Sequence, residues 1–225
     1  PSDHIIDGKE TYETAIKEAV EKAKQGYIVT FGIVPTKPET GYGYIERKGD
    51  DVISFREKPN QVSARDYIAK GNFLWNSGMF CFKAGVLLDE LKAFVPEVYA
   101  KSKLVWDANT NGNLDLNLSL DIPSISIDYA VMERSKKIKV VSASFSWSDL
   151  GSFESVYDYL VSIGHPVDEN GNMVIGTDTY TAFIGVKDTI FVYTPTANLI
   201  LKKECSQDVK SLYSKLEIKN SPLLD

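Results

Sequence analysis

Two short polar stretches place charged and amide side chains directly after apolar segments. In residues 55–60, FREKPN, Pro59 ends a predicted strand because proline cannot donate a hydrogen bond to a β-ladder. Glu57 and Lys58 are then left at the strand end, which is where α/β sheets bind ligands. A carboxylate accepts hydrogen bonds from hydroxyl groups, and an ammonium group is a suitable partner for a phosphate. The alternative is a solvated strand end that carries two charges.

The second stretch, WNSG at residues 75–78, is interpreted as a turn. Its carboxamide, on Asn76, both donates and accepts, so it could bracket vicinal hydroxyls. Upstream, Gly41 and Gly43 flank Tyr42, and a glycine permits close approach of the backbone to a ligand. An asparagine turn and a glycine bend that bind nothing are the alternatives.

Two carboxylates far apart in the chain, Asp3 and Asp149, could converge to hold Mg²⁺ against a pyrophosphate. The alternatives are a helix cap for Asp149, just before a predicted helix start at Ser152, and an ordinary turn for Asp3. His4, next to Asp3, is interpreted as a structural hydrogen-bonding residue rather than a catalytic base.

The composition excludes some classes of protein. The 225 residues are 43% hydrophobic and carry a net charge of −6, which argues against a nucleic-acid-binding surface but allows a phosphorylated small substrate. No apolar run is long enough to span a membrane, and the N-terminal residues do not form a cationic, apolar leader, so nothing in them predicts export. Two distant cysteines, of which Cys81 is expected to be buried, fit the reducing cytoplasm. Because the chain begins at Pro1, we interpret it as a fragment or a processed product.

Apolar periodicity predicts alternating helices and strands as far as residue 163. The predicted helices cover residues 7–26, 63–71, 84–94, 126–135 and 152–162. The first has Asp7 and Glu10 at capping-box spacing, and the second is predicted to be capped by Ser63. Residues 164–225 instead show short alternating apolar pieces, including one at 181–186, and then a final helix. We therefore predict an α/β domain over 1–163 and a small β-rich appendage over 164–225.

Six motifs occur together in a familiar order and spacing. They are PSDH (1–4), FGIVPTKPETGYGYI (31–45), FREKP (55–59), WNSGMF (75–80), SISIDYAVME (124–133) and WSDLGSF (147–153). In them the chain closely resembles the mannose-1-phosphate guanylyltransferases, or GDP-mannose pyrophosphorylases, of bacterial type. The resemblance covers residues 1 to about 158 well and continues weakly to about 217. It implies a Rossmann-like nucleotidyltransferase core that makes GDP-mannose and pyrophosphate from GTP and mannose 1-phosphate, for polysaccharide biosynthesis.

The resemblance also implies roles for single residues. Glu57 and Asn76 are expected to hold mannose hydroxyls and Lys58 the sugar phosphate, while the backbone at Gly43 approaches the sugar. Asp128 is expected to line the sugar pocket.

The expected catalytic set combines Lys58 with Asp3 and Asp149, which are expected to bind Mg²⁺.

The chain departs from the family pattern in three places. The Gly-rich loop that cradles the GTP phosphates, with the first strands of the core, is expected upstream of Pro1, so we expect this chain alone to be inactive. The region after Gly176 is shorter than usual, and TPTANLI stands at 194–200 where an acidic PDA is usual. Longer bacterial relatives continue into a cupin domain with mannose-6-phosphate isomerase activity. The sequence does not define an oligomeric state, and a homo-oligomer stays open.

Two other functions stay open. One is a non-catalytic subunit that binds a sugar phosphate, and Asp149→Ala should not change the ligand affinity of such a module. The other is a pyrophosphorylase for a different sugar 1-phosphate, which the contexts of PSDH and WNSGMF argue against.

Overall fold

The computed structural model describes residues 4–224, and Asp3 lies outside them. The chain divides into two compact units, Ile6–Trp147 and Ser148–Asp225, with the residues before Ile6 grouped with the second. Each unit is described by itself. Across the described range, every helix is too short or too polar to cross a bilayer.

Within residues 4–224, the structure contains ten strands and seven α-helices. The strands are β1 (Ile5–Asp7), β2 (Ile28–Ile33), β3 (Tyr44–Lys48), β4 (Asp51–Arg56), β5 (Phe73–Cys81), β6 (Ile138–Ser142), β7 (Ser146–Ser148), β8 (Met173–Ile175), β9 (Thr189–Tyr193) and β10 (Asn198–Lys202). The helices are α1 (Lys9–Lys24), α2 (Gln61–Lys70), α3 (Ala84–Phe94), α4 (Pro96–Asp107), α5 (Leu116–Leu120), α6 (Phe153–Ser162) and α7 (Val209–Ile218). A π-helical segment, Asp128–Met132, precedes β6, and 3₁₀ turns cover Lys203–Asp208 and Pro222–Leu224.

Five strands of the first unit pair in a closed ring of order β2-β5-β3-β4-β6. Strand β2 is parallel to β6 and antiparallel to β5, and β3 lies between β5 and β4. A single residue pair, Asp51 with Lys139, joins β4 to β6 and completes the ring. The sheet is therefore mixed, as α/β sheets with antiparallel additions often are.

Side chains of β2 alternate between two apolar cores. Val29 and Phe31 pack with α1 through its alanine stripe, whereas Ile28 packs with the π-helical segment on the other face. The small alanines let α1 lie close to the strands, and alternation along β2 follows from the two-residue period of a strand. Thr30, on the same face as Ile28, is completely buried.

The second unit has its own apolar core. Strand β9 lies between β8, to which it is parallel, and β10, to which it is antiparallel. The buried side chains Tyr157, Met173, Ile190 and Leu201 join these strands to α6. The apolar piece predicted at 181–186 forms no strand.

Several local predictions are wrong. WNSG is not a turn but part of β5, and Cys81 is only partly buried. Helix α1 begins after Gly8 without a side-chain cap, because the Asp7 carboxylate accepts from the neighbouring Gly8 N–H instead.

The second helix, unlike the first, begins earlier than predicted. The N-cap of α2 is Asn60, whose side chain accepts from the Ser63 N–H, so Ser63 is capped and does not cap.

Gly32 in β2 gives a test of the core. A Cβ there would lie 2.5 Å from Leu74 Cδ1 and 2.8 Å from Val140 Cγ2, so Gly32→Ala should lower the free energy of unfolding by about 1–3 kcal/mol. Gly85→Ala is the matched control, because that exposed α3 position has no neighbour within 4 Å; its stability should stay the same or rise by up to about 1 kcal/mol. Urea denaturation measures both. Equal effects of the two substitutions would contradict the packing described here.

Candidate functional site

The candidate site is built around an irregularity in the pairing of β2 with β5. Thr30 pairs with Phe80 and Gly32 with Asn76, so residues 77–79 of β5 lie opposite Phe31 alone. Gly78, inside this bulge, has a φ of 71°, which glycine adopts without strain. The backbone N–H of Asn76 donates to Gly43 O at 2.8 Å, which joins the bulge to the loop before β3.

The carboxamide of Asn76 is bonded on both sides. Its Oδ1 accepts from Thr30 Oγ1 at 2.9 Å and from the Gly78 N–H at 3.2 Å. Its Nδ2 donates to Asp128 Oδ1 at 3.3 Å. One side chain therefore connects β2, β5 and the π-helical segment.

Glu57 and Lys58 follow β4 directly, as the proline predicts. Lys58 Nζ lies 2.9 Å from Glu57 Oε1, and the side chain of Glu57 is 9% exposed whereas that of Lys58 is 61% exposed. Hydrogen bonding to Glu57 raises the pKa of Lys58, so the ammonium is charged at neutral pH. Lys58 has a φ of 43°, a left-handed conformation that is unusual for a residue with a side chain.

Gly43 brings the loop before β3 against these groups. A Cβ on Gly43 would lie 2.6 Å from Glu57 Oε2 and 3.4 Å from Asn76 Cβ. A side chain at position 43 would displace the Glu57 carboxylate, so the glycine lets that carboxylate lie close to the backbone.

Asp128 begins the π-helical segment, in which the Glu133 N–H donates to Asp128 O at 3.0 Å across five residues. Burial, and next the negative charge of Glu57, raise the pKa of the Asp128 carboxyl, although Lys58 and Asn76 oppose the shift. The structure thus brings together five predicted residues, Gly43, Glu57, Lys58, Asn76 and Asp128. Two carboxylates, one amide and one ammonium can bind a polyhydroxylated anion.

Neither predicted metal ligand belongs to the described part of the first unit. Asp3 lies outside the described residues, and Asp149 belongs to the second unit, where its Oδ1 accepts from the Gly151 N–H at 3.0 Å. Asp149 is half-buried and does not cap α6, whose N-cap is Ser152. Among residues 4–224 no group of three or more His, Cys, Asp or Glu side chains could hold a metal ion. The Asp149 carboxylate is nevertheless a suitable ligand for Mg²⁺, which is commonly bound through one or two carboxylates plus substrate phosphates.

Sequence reasoning missed Thr30 and the aromatic contacts of Tyr42. Tyr42 meets the rings of Trp75 and Trp147 edge-on, with centroids 5.2 and 5.3 Å away. Thr30 left a signal, because it is a hydroxyl residue inside the apolar run YIVTFGIV. The ring contacts of Tyr42 could not be predicted from the neighbouring sequence, because Trp75 and Trp147 lie in the distant strands β5 and β7.

Comparison with known families gives a direct match. The family model described as Nucleotidyl transferase matches residues 1–164. The chain belongs to the nucleotidyl transferase family. A second model, described as the MannoseP isomerase/GMP-like beta-helix domain, matches residues 166–216. Nucleotidyltransferases of this kind generally use a divalent metal.

Three relatives illustrate the similarity. The mannose-1-phosphate guanylyltransferase of Klebsiella pneumoniae is 37% identical over 236 residues, which cover 93% of this chain and 49% of the relative. A crystal structure of a protein named mannose-1-phosphate geranyltransferase, from Thermus thermophilus, has a TM-score of 0.80 at 27% identity and covers 96% of this chain and 68% of its own. A mannose-6-phosphate isomerase from Helicobacter pylori has a TM-score of 0.64 at 41% identity, covering 66% of this chain and 62% of its own.

The chain spans about half the length of the curated relatives it matches. These findings confirm the resemblance and the predicted fold class, an α/β nucleotidyltransferase core with a β-rich part and a final helix. The boundary between residues 163 and 164 stays a prediction.

The raised pKa of Asp128 predicts a pH-dependent stability. Because the folded-state pKa lies above the unfolded value of 3.8, ionisation costs stability as the pH rises through the folded-state pKa. Asp128→Asn keeps an oxygen for Asn76 and removes the charge, so it should be more stable than the parent at pH 7. This advantage should disappear below the unfolded pKa.

Asp168→Asn is the control, because its effect on the free energy of unfolding should have the opposite sign. Both variants are measured by urea denaturation over the same pH series. Hydrogen bonds from Asn172 and Asn170 lower the pKa of Asp168, so its substitution should destabilise at pH 7 and lose its effect in acid. A difference for Asp128→Asn that does not vary with pH would contradict this electrostatic description.

Proposed function

We propose that this chain supplies the sugar-phosphate-binding part of a mannose-1-phosphate guanylyltransferase. The observation that carries the proposal is the convergence of Glu57, Asn76, Asp128 and Lys58 around Gly43, in a nucleotidyl transferase whose curated relatives bear that name. The proposed reaction joins GTP and mannose 1-phosphate into GDP-mannose and releases pyrophosphate.

Each side chain has a proposed place in substrate binding. Glu57 accepts hydrogen bonds from mannose hydroxyls, Asn76 donates to them, and Asp128 lines the same pocket. Lys58 is long, exposed and charged, so it can leave Glu57 and reach the phosphate. Gly43 lets the sugar approach the backbone.

The proposed chemistry is an in-line displacement. An oxygen of the sugar phosphate forms a bond to the α-phosphorus of GTP while the bond from that phosphorus to the bridging oxygen breaks, and pyrophosphate departs. Such transfers depend on positioning and charge neutralisation rather than on a covalent enzyme intermediate. Mg²⁺, for which we propose Asp3 and Asp149 as ligands, would neutralise phosphate charge, while Lys58 holds the attacking phosphate in line.

The proposal also covers a linked enzymatic activity and the cellular location of the protein. The second family model and the Helicobacter pylori relative, both named for mannose phosphate isomerase, favour a link with mannose-6-phosphate isomerase activity. We propose the cytoplasm, where GTP is supplied, as the location. A parallel assay for isomerisation of mannose 6-phosphate tests the linked activity.

The main experiment measures pyrophosphate release by the protein as its gene encodes it. GTP with mannose 1-phosphate and Mg²⁺ should give turnover, whereas omission of Mg²⁺, other nucleoside triphosphates or glucose 1-phosphate should give much less. Binding of mannose 1-phosphate to the 225-residue chain is measured by calorimetry beside it. Binding without turnover would favour a regulatory subunit, and preference for another sugar would reassign the substrate.

Lys58 gives a prediction for a single residue. Lys58→Met should raise the KM for mannose 1-phosphate by about 10- to 100-fold, the loss of one charged hydrogen bond, without changing the KM for GTP. Lys70→Met is the control, because the Lys70 side chain is similarly exposed and also forms an ion pair, with Asp66 on α2. The stability of Lys70→Met should be nearly unchanged, because an exposed ion pair contributes little. Lys58→Met should be somewhat less stable than the parent, because it leaves the nearly buried Glu57 carboxylate without its ammonium partner. Equal KM values for mannose 1-phosphate in the two variants would contradict the proposed role of Lys58 in phosphate binding.

A further inference from the structure

Thr30 is a buried hydroxyl residue without a place in the expected substrate contacts. Its relative exposure is 0%, and it lies in a strand whose other side chains are apolar. Burying a hydroxyl is costly unless it finds a hydrogen-bond partner. The partner is Asn76 Oδ1, at 2.9 Å from Thr30 Oγ1.

The orientation of the Asn76 carboxamide follows from its neighbours. The backbone N–H of Gly78 can only donate, so the amide atom that it meets must be the oxygen. On the other side, the Asp128 carboxylate accepts and so must meet the amide nitrogen. Thr30 supplies the second donor to Oδ1, and both acceptor positions of the amide oxygen are then used.

We propose that Thr30 is a positioning residue that holds the Asn76 oxygen inside the protein and leaves one amide N–H for the ligand. Asn76 therefore acts toward the ligand as a donor and does not bracket two hydroxyls by donating and accepting. The identity of the ligand in this inference rests on the proposed function, whereas the orientation of the Asn76 amide does not.

The resulting pattern limits the ligand's chemistry. Glu57 and Asp128, when ionised, only accept hydrogen bonds, while Asn76 only donates. A group that meets both kinds of partner must accept and donate at once, as an alcohol does. Ether and carbonyl oxygens only accept, so they would give these carboxylates no further hydrogen-bond donor. The site therefore suits the hydroxyls of a sugar.

The test compares Thr30→Val, which removes the hydroxyl at nearly constant volume, with Thr30→Ser, which keeps it. The first readout is the ¹⁵N–¹H side-chain amide signal of Asn76 in the ligand-free protein, assigned by its loss in Asn76→Ser. In Thr30→Val this signal should move toward the position of exposed asparagines, and in Thr30→Ser it should stay near the parent position. Thr189→Val, which changes a buried threonine of the second unit bonded to Lys187 O, is the control and should leave the signal unchanged.

The second readout is the Kd for mannose 1-phosphate. Thr30→Val should weaken binding by about 3- to 10-fold, the worth of one buried hydrogen bond, and Thr30→Ser should restore most of it. If Thr30→Val does not fold, Thr30→Ala takes its place, since it also removes the hydroxyl donor. An Asn76 signal that stays in place in whichever of these two variants folds would overturn the inference. If the parent does not bind mannose 1-phosphate, the proposed function fails, and the amide signal alone still decides the role of Thr30.

Discussion

The candidate site depends on one constraint, the extra length of β5 opposite β2. Three residues of β5 face one residue of β2, so the strand bends between Asn76 and Phe80. The bend turns the Asn76 carboxamide toward Thr30 on one side and Asp128 on the other. Without the bulge, a regular ladder would give Asn76 different neighbours, and the loop at Gly43 would lose its partner.

The charges of the candidate site lower the stability of the folded protein at neutral pH. Asp128 is partly buried near the charge of Glu57, and both effects raise its pKa and disfavour the ionised form. Lys58 is held in a left-handed conformation and stays largely exposed although it pairs with Glu57. Desolvated like charges and backbone strain are common where a protein is arranged for a ligand instead of for maximal stability. A bound polyol phosphate would supply hydroxyl donors to the carboxylates and an anion to the ammonium.

Features with a local cause could be predicted from the sequence, and features set by distant pairing could not. Pro59 stops β4, so the position of Glu57 and Lys58 at a strand end follows from the chain itself. The bulge in β5 depends on the register with β2, about 45 residues upstream, so WNSG looked like a turn. The predicted capping box at Asp7 does not form, because Gly8, in a left-handed conformation with a φ of 96°, is the N-cap of α1 and the Asp7 carboxylate accepts from the Gly8 N–H. The sequence shows Thr30 as a polar residue in an apolar run, but it does not predict that Asn76 is its hydrogen-bond partner.

The most direct test of the central claim is a crystal structure of the protein with mannose 1-phosphate. We expect the sugar hydroxyls within hydrogen-bond distance of Glu57, Asn76 Nδ2 and Asp128. The phosphate should lie within reach of Lys58 Nζ, which will have left Glu57. Asn76 Oδ1 should keep its bonds to Thr30 and Gly78. A sugar phosphate bound elsewhere, with Glu57 and Lys58 still paired, would contradict this assignment of the site.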